Sequence, residues 1–157
     1  MEKRNLSPII VHNGDFRSQN LYDVSPDFDG DIVIHGNVKL KTDVNFKGGL
    51  WVEGNVSIYG SIEAEYIYAT GYIEADDIRV RDIQCDGLIM CTNIISMGDI
   101  DCKVIDASAI CVANNFVCRR SGCLHGDEFK VGGKFYCPEF SSKYKDTIKA
   151  EPINDYC

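Results

Sequence analysis

Apolar residues recur along most of this chain as i, i+2 pairs with a step of six or five, and no other feature limits its fold so severely. The series runs Ile32/Ile34, Val38/Leu40, Val44/Phe46, Leu50/Val52, Val56/Ile58 and Ile62/Ala64 at a step of six. It continues as Ile67/Ala69, Ile73/Ala75, Ile78/Val80, Ile83/Cys85, Leu88/Met90, Ile94/Ser96, Ile100/Cys102, Ile105/Ala107 and Ile110/Val112 at a step of five or six. Alternation with a period of two is a strand signal, and nothing in the stretch repeats at helical spacing. Strands this short, joined by turns of one or two residues, cannot make ordinary hairpins. They can wind as the sides of a parallel β-helix. The predicted fold is therefore all-β, a single-stranded parallel β-helix of triangular section.

Three sides per coil place coil starts at Ile32, Leu50, Ile67, Ile83, Ile100 and Phe116, about six coils of 16 to 18 residues. With strands about 4.8 Å apart, the rod is about 25 to 30 Å long. One inward column holds these six residues. The second is predicted to hold Val38, Val56, Ile73, Leu88 and Ile105, and the third Val44, Ile62, Ile78, Ile94 and Ile110. Beside the first runs Ile34, Val52, Ala69, Cys85, Cys102 and Cys118. Three cysteines thus stack in consecutive coils, where a buried thiol acts as a small hydrophobe. Outside, Glu63 and Glu65 are expected to face Arg79 and Arg81, an opposite-charge arrangement that fits cross-strand pairing. Val33, Trp51 and Tyr68 stack outward on the first side, with Tyr59, Tyr66 and Tyr72 nearby. They are either a lateral interface or a surface packed beneath the N-terminal segment. The stretch from Leu88 to Met97 is apolar on both faces, which adds Ile89, Ile95 and Met97 to the candidate interface. The alternative is that the register slips by one there.

The charge is unevenly spread. Of a net charge of -8, residues 1–48 carry -1, residues 49–106 carry -8 and residues 107–157 carry +1. An acidic chain is not an electrostatic binder of nucleic acid, which needs Lys and Arg to displace counterions from phosphate. All eight cysteines lie at or after Cys85. Without a signal-like segment behind residues 1–7 they are expected to be mostly reduced thiols in a cytoplasmic protein with no membrane span. The chain divides into an N-terminal segment, 1–29, capping the first coil; the regular β-helix, 30–118; an irregular last coil, 119–140; and a polar tail, 141–157.

The phrases Gly54-Asn55-Val56-Ser57-Ile58-Tyr59-Gly60-Ser61-Ile62-Glu63-Ala64 and Gly71-Tyr72-Ile73-Glu74-Ala75 resemble the G-x-[IV]-x-[AV] phrasing of the bactofilins, over roughly residues 30–118. The resemblance implies a right-handed, triangular β-helix that assembles end to end into filaments without nucleotide. Hexapeptide acyltransferases fit less well, because the step shortens to five and none of His12, His35 or His125 matches their catalytic histidine. Pentapeptide-repeat proteins want a small residue where Asp76, Arg81 and Asp86 stand. Cys118, Cys123, His125 and Cys137 offer four soft ligands without the paired spacing of a structural zinc site. Gly132-Gly133-Lys134 reads as a turn and not a phosphate loop. The leading expectation is a non-enzymatic scaffold without cofactor or metal, associating with copies of itself through coil ends or the aromatic face. The alternative is an acidic inhibitor that mimics nucleic acid and occupies a nuclease or other basic protein, as in phage anti-defence. An acyltransferase-like enzyme is the third.

Overall fold

A computed structural model describes residues 8–142 of the chain. The strands are β1 (Ile9–Asn13), β2 (Phe16–Arg17), β3 (Asp31–His35), β4 (Val38–Leu40), β5 (Val44–Asn45), β6 (Gly49–Val52) and β7 (Val56–Ile58). They continue as β8 (Ile62–Ala69), β9 (Ile73–Glu74), β10 (Asp77–Ser96), β11 (Ile100–Val112), β12 (Phe116–Val131), β13 (Phe135–Tyr136) and β14 (Glu139–Ser142). Every ladder is parallel. The chain is a β-solenoid of about seven turns. The long strands β8, β10, β11 and β12 bend round corners without losing their pairing.

The first inward column reads Ile10, Ile32, Leu50, Ile67, Ile83, Ile100, Phe116 and Phe135. Its coil lengths, 22, 18, 17, 16, 17, 16 and 19 residues, follow from those pairings. The predicted six starts are all present, with one coil added before Ile32 and a partial turn, β13 and β14, after the coil that starts at Phe116. The N-terminal segment covers the Ile32 coil by continuing it: β1 pairs with β3 and β2 with β4. A 3-10 helix, Ser18–Asp23, replaces the third side of that coil, and Leu21, Val24 and Phe28 pack on the core there. Of the C-terminal tail, residues 143–157 lie outside the described residues.

The second column corrects one prediction. It reads Phe16, Val38, Val56, Ile73, Ile89, Ile105, Gly122 and Phe140, so Ile89 is inside and Leu88 is not. Ile89 is fully buried and is no part of an interface. The corner explains the slip. Cys85-Asp86-Gly87-Leu88-Ile89 repeats Ala69-Thr70-Gly71-Tyr72-Ile73, and a Cβ on Gly87 would lie 2.6 Å from Gly71 O. The glycines stack, and the residue after each belongs to the corner. Met90 is consequently exposed and Cys91 buried.

Corners break the regular ladder, and side chains complete it in two ways. Along one edge Asp31 Oδ1 accepts from Gly49 N–H (2.9 Å), Asp82 Oδ1 from Asp99 N–H (2.8 Å), Asp99 Oδ1 from Asn115 N–H (2.9 Å) and Asn115 Oδ1 from Lys134 N–H (2.9 Å). Along another, Asp15, Asn37 and Asn55 accept from the N–H of Asn37, Asn55 and Tyr72. Carbonyls are met by small donors that reach both the residue three ahead and the previous coil. Ser96 Oγ donates to Asp99 O (3.1 Å) and Arg81 O (2.8 Å), and Cys118 Sγ to Ser121 O (3.0 Å) and Lys103 O (3.4 Å). Cys85 Sγ does the same to Leu88 O and Gly71 O. Among the described residues no buried side-chain polar atom lacks a partner.

Three described glycines have positive φ: Gly14 at +92°, Gly54 at +159° and Gly60 at +153°, and a Cβ on Gly54 would lie 2.4 Å from Gly36 O.

Asp99 sits in the middle of its ladder as both donor and acceptor, so replacing it tests the corner directly. Asp99→Ala leaves the Asn115 N–H unanswered and should cost about 1 to 3 kcal/mol. Asp99→Asn keeps an acceptor oxygen and should cost clearly less. Urea denaturation reads the difference as a lower midpoint at unchanged slope.

Candidate interaction surface and thiol column

Three of the candidate aromatics come together. Outward along the first side run Val11, Val33, Trp51 and Tyr68, in direct register. Trp51 meets Tyr68 at a ring-centroid distance of 4.4 Å and Tyr66 at 6.4 Å, with tilts of 36° and 33°. Trp51 is 45% exposed, and Ile9 and Val11 below it are each 56% exposed. Gly49 supplies no side chain beside Trp51. A depression of about 290 Å³ opens there, lined by Ile9, Asp31, Val33, Leu50, Trp51 and Tyr66. Tyr68 Oη donates to Asp86 Oδ2 at 3.0 Å, and that bond, with Asp86's charge, holds the phenol above its ordinary pKa.

The other candidates lie elsewhere. Tyr72 occupies the corner before Ile73 and Tyr59 follows Ile58 at the far end of the second side; both are exposed. Met97 is exposed and Ile95 half-buried on the third side. There they line a groove of about 540 Å³ with Lys47, Glu63, Arg79 and Arg81. The charge register expected on that side is present: Glu63 is opposite Arg79, and Arg81 Nη1 lies 3.5 Å from Glu65 Oε1. Sequence reasoning missed Ile9, Val11 and Gly49. The first two lie in a coil 22 residues long, outside the repeat, and the third is conspicuous only once the register is known.

The cysteine column is as predicted, with Ala69, Cys85, Cys102 and Cys118 paired in succession and the three thiols fully buried. It is longer by one. Val117 pairs with Tyr136, so Cys137 follows Cys118 and interacts with it through sulfur. Cys123 and His125 sit on the opposite face of the wall, where His125 Nε2 is 2.6 Å from Asp106 Oδ1. The four soft ligands named from sequence are therefore split by the sheet. Cys111 is disulfide-bonded, whereas Cys85, Cys91, Cys102, Cys118, Cys123 and Cys137 are free thiols.

Burial governs the protonation of these thiols. It pushes Cys85 up to about 11 and Cys91 up to about 12, from an ordinary value of 9.0. Cys102 is raised because its S–H serves Cys118 as a donor and because it is buried, and Cys137 is raised by burial first. Cys118 differs. Once ionised it receives hydrogen bonds from Cys102 and then Cys137, and these lower it against the opposing effect of burial.

Outside the column, Arg119 spans three coils: it pairs with Asp101, donates from Nη2 to Cys85 O at 3.2 Å and lies 3.9 Å from Asp86. His35 Nδ1 is 2.7 Å from Glu53 Oε2, and His12 Nε2 is 2.9 Å from Asp15 O. Among the described residues no helix is long and apolar enough to cross a membrane. Protein-family models, curated proteins and solved structures give no match to the chain.

A raised thiol pKa links stability to alkaline pH in a definite direction. The stabilisation from a neutral buried thiol is complete below pH 9 and is lost as pH rises through 11 for Cys85 and 12 for Cys91. Thermal unfolding should therefore shift downward from pH 9 to pH 11. The Cys85→Ala variant should begin less stable and show a shallower decline.

Proposed function

We propose that this chain is a structural, non-enzymatic solenoid that works by self-association, with its coil ends as the contacts and the Trp51 wall as a lateral surface. The observation that carries the reading is a single outward column whose two terminal members are bare. Val11 ends it at the N-terminal coil, 56% exposed, and Tyr136 ends it at the other, 57% exposed. Each belongs to a strand at the end of the described stack, and an open strand edge is a template for another chain. A second copy placed so that β1 follows β13 would extend the first and second columns by one step, setting Val11 against Tyr136, Ile10 over Phe135 and Phe16 over Phe140.

The charges support the same arrangement. In the described part of the first coil Asp15, Asp23, Asp27 and Asp29 outnumber Arg17, whereas Arg119, Arg120, Lys130 and Lys134 outnumber Asp127, Glu128 and Glu139 at the other end. Opposite ends attract and like ends repel. The bactofilin-like phrasing and the solenoid architecture point toward assembly as well. A role as a nucleic-acid mimic has less support, because Asp86, Asp101 and Asp106 are engaged by Arg119 and His125 and do not form a bare acidic row.

Sedimentation velocity across a hundredfold concentration range tests the proposal. The wild-type chain should show mass increasing with concentration. Val11→Asp and Tyr136→Asp should each lower the association by at least tenfold while leaving the far-ultraviolet spectrum unchanged. A monomer at every concentration would end the self-association reading.

A further inference from the structure

We infer that the C-terminal end of the thiol column is a binding site for a soft monovalent cation, Cu(I) or Ag(I), held in linear coordination between Cys118 and Cys137. The site requires no self-association, and it adjoins the C-terminal coil end, since Cys137 directly follows Tyr136. Its first support is spacing. Successive coils are about 4.8 Å apart, and two metal–thiolate bonds of about 2.3 Å placed end to end span nearly that length. A small movement of either side chain closes the remainder.

Coordination number supplies the second. The sheet puts Cys123 and His125 outside and Cys118 and Cys137 inside, and no group of three or more His, Cys, Asp or Glu gathers at one point among the described residues. Cys118 and Cys137 are the two column sulfurs nearest the C-terminal end, and Cys102 lies one coil deeper. Zinc needs four ligands in a tetrahedron, whereas thiolate softness and two-coordination suit a monovalent coinage metal.

The surroundings supply the third. Cys137 is half-buried at the end of the column and Cys118 lies behind it, so the cation enters past Cys137. Gly122 occupies a position filled by Val or Ile in five of the preceding coils, and the Cys137 sulfur lies 3.3 Å from where its Cβ would be. Binding displaces the two S–H protons to solvent and forms two metal–sulfur bonds, leaving a bis-thiolate with one net negative charge and no change in oxidation state. Cys102 lies behind Cys118 in the same inward column. The Arg119 guanidinium just outside the wall offsets the charge.

Anaerobic titration of the full chain, its Cys111 disulfide intact, with Cu(I), supplied as its acetonitrile complex in competition with bicinchoninate, tests the site. The thiolate-to-metal absorption in the ultraviolet should saturate with a tight equivalent that zinc does not displace. Cys137→Ser and Cys118→Ser should each weaken that equivalent by at least a hundredfold. Cys123→Ser and Cys91→Ser should leave it within twofold, which separates the column from other thiols. Circular dichroism should keep its strand signature throughout. Equal binding by the Cys137→Ser variant, or uptake only with loss of that signature, would overturn the assignment; Cys137 is half-buried, so this variant remains informative even where Cys118→Ser does not fold.

Discussion

Everything in this solenoid depends on satisfying peptide groups between coils, because each strand is too short to hold itself. On the flat sides the parallel ladders do this automatically. At corners the chain turns away and the ladder fails, so an acceptor must be found for stray N–H groups and a donor for stray carbonyls. Aspartate and asparagine supply the acceptors, from Asp31 to Gly49 and from Asp82 through Asp99 to Asn115 and Lys134. Serine and cysteine supply donors. Part of the acidity of the chain, Asp15, Asp31, Asp43, Asp82 and Asp99, is thus a consequence of turning corners. Residues that look like a charged surface or a carboxylate cluster are partly backbone scaffolding, with one oxygen committed to the next coil.

The same rule gives the cysteines a reason beyond packing. Cys85 and Cys118 occupy the place in their coils that Ser96 occupies at another corner, and all three donate to the carbonyl three residues ahead. A thiol fills the narrow interior better than a hydroxyl and still offers a weak donor. Alanine at Ala69 fills the same column without donating. The column is therefore mixed in chemistry along its length, apolar at Ile34 and Val52 and sulfur-rich from Cys85 onward.

Most of the register was legible in the sequence because it rests on branched aliphatics in columns, which only a periodic fold can require. The first and third columns and the Cys85–Cys102–Cys118 stack follow from that pattern. The Leu88 position was misplaced because both Leu88 and Ile89 are apolar and hydrophobicity cannot choose between them; the stacked pair Gly71 and Gly87 chooses, through a backbone approach too close for any Cβ. The N-terminal coil was hidden for another reason: its 22 residues break the step through a 3-10 helix, whereas the 19-residue coil from Phe116 falls where an irregular last coil was expected. Of the candidate surface, Val33, Trp51 and Tyr68 could be grouped from their common phase. Tyr59 and Tyr72 were near them in sequence only, since a corner intervenes.

The two ends differ from the middle in the size of what fills them. Between Ile32 and Ile110 the three main inward columns are almost wholly Ile, Val and Leu, each resting on its like above and below. Among the described residues an end coil has no neighbour on one side, and aromatic rings take over. Phe16 packs edge-on to His12, with Phe28 nearby; Phe116 stacks on Phe135 at 5.2 Å, with Phe129 and Phe140 against them. Rings close the bore but do not pair the end strands, which have no further partner among the described residues, since a side chain inside the rod cannot hydrogen-bond a main chain at its rim. Closing the interior and closing the ladder are separate problems. The described chain solves the first within itself, and the second is the opening that a further segment or a further copy can occupy.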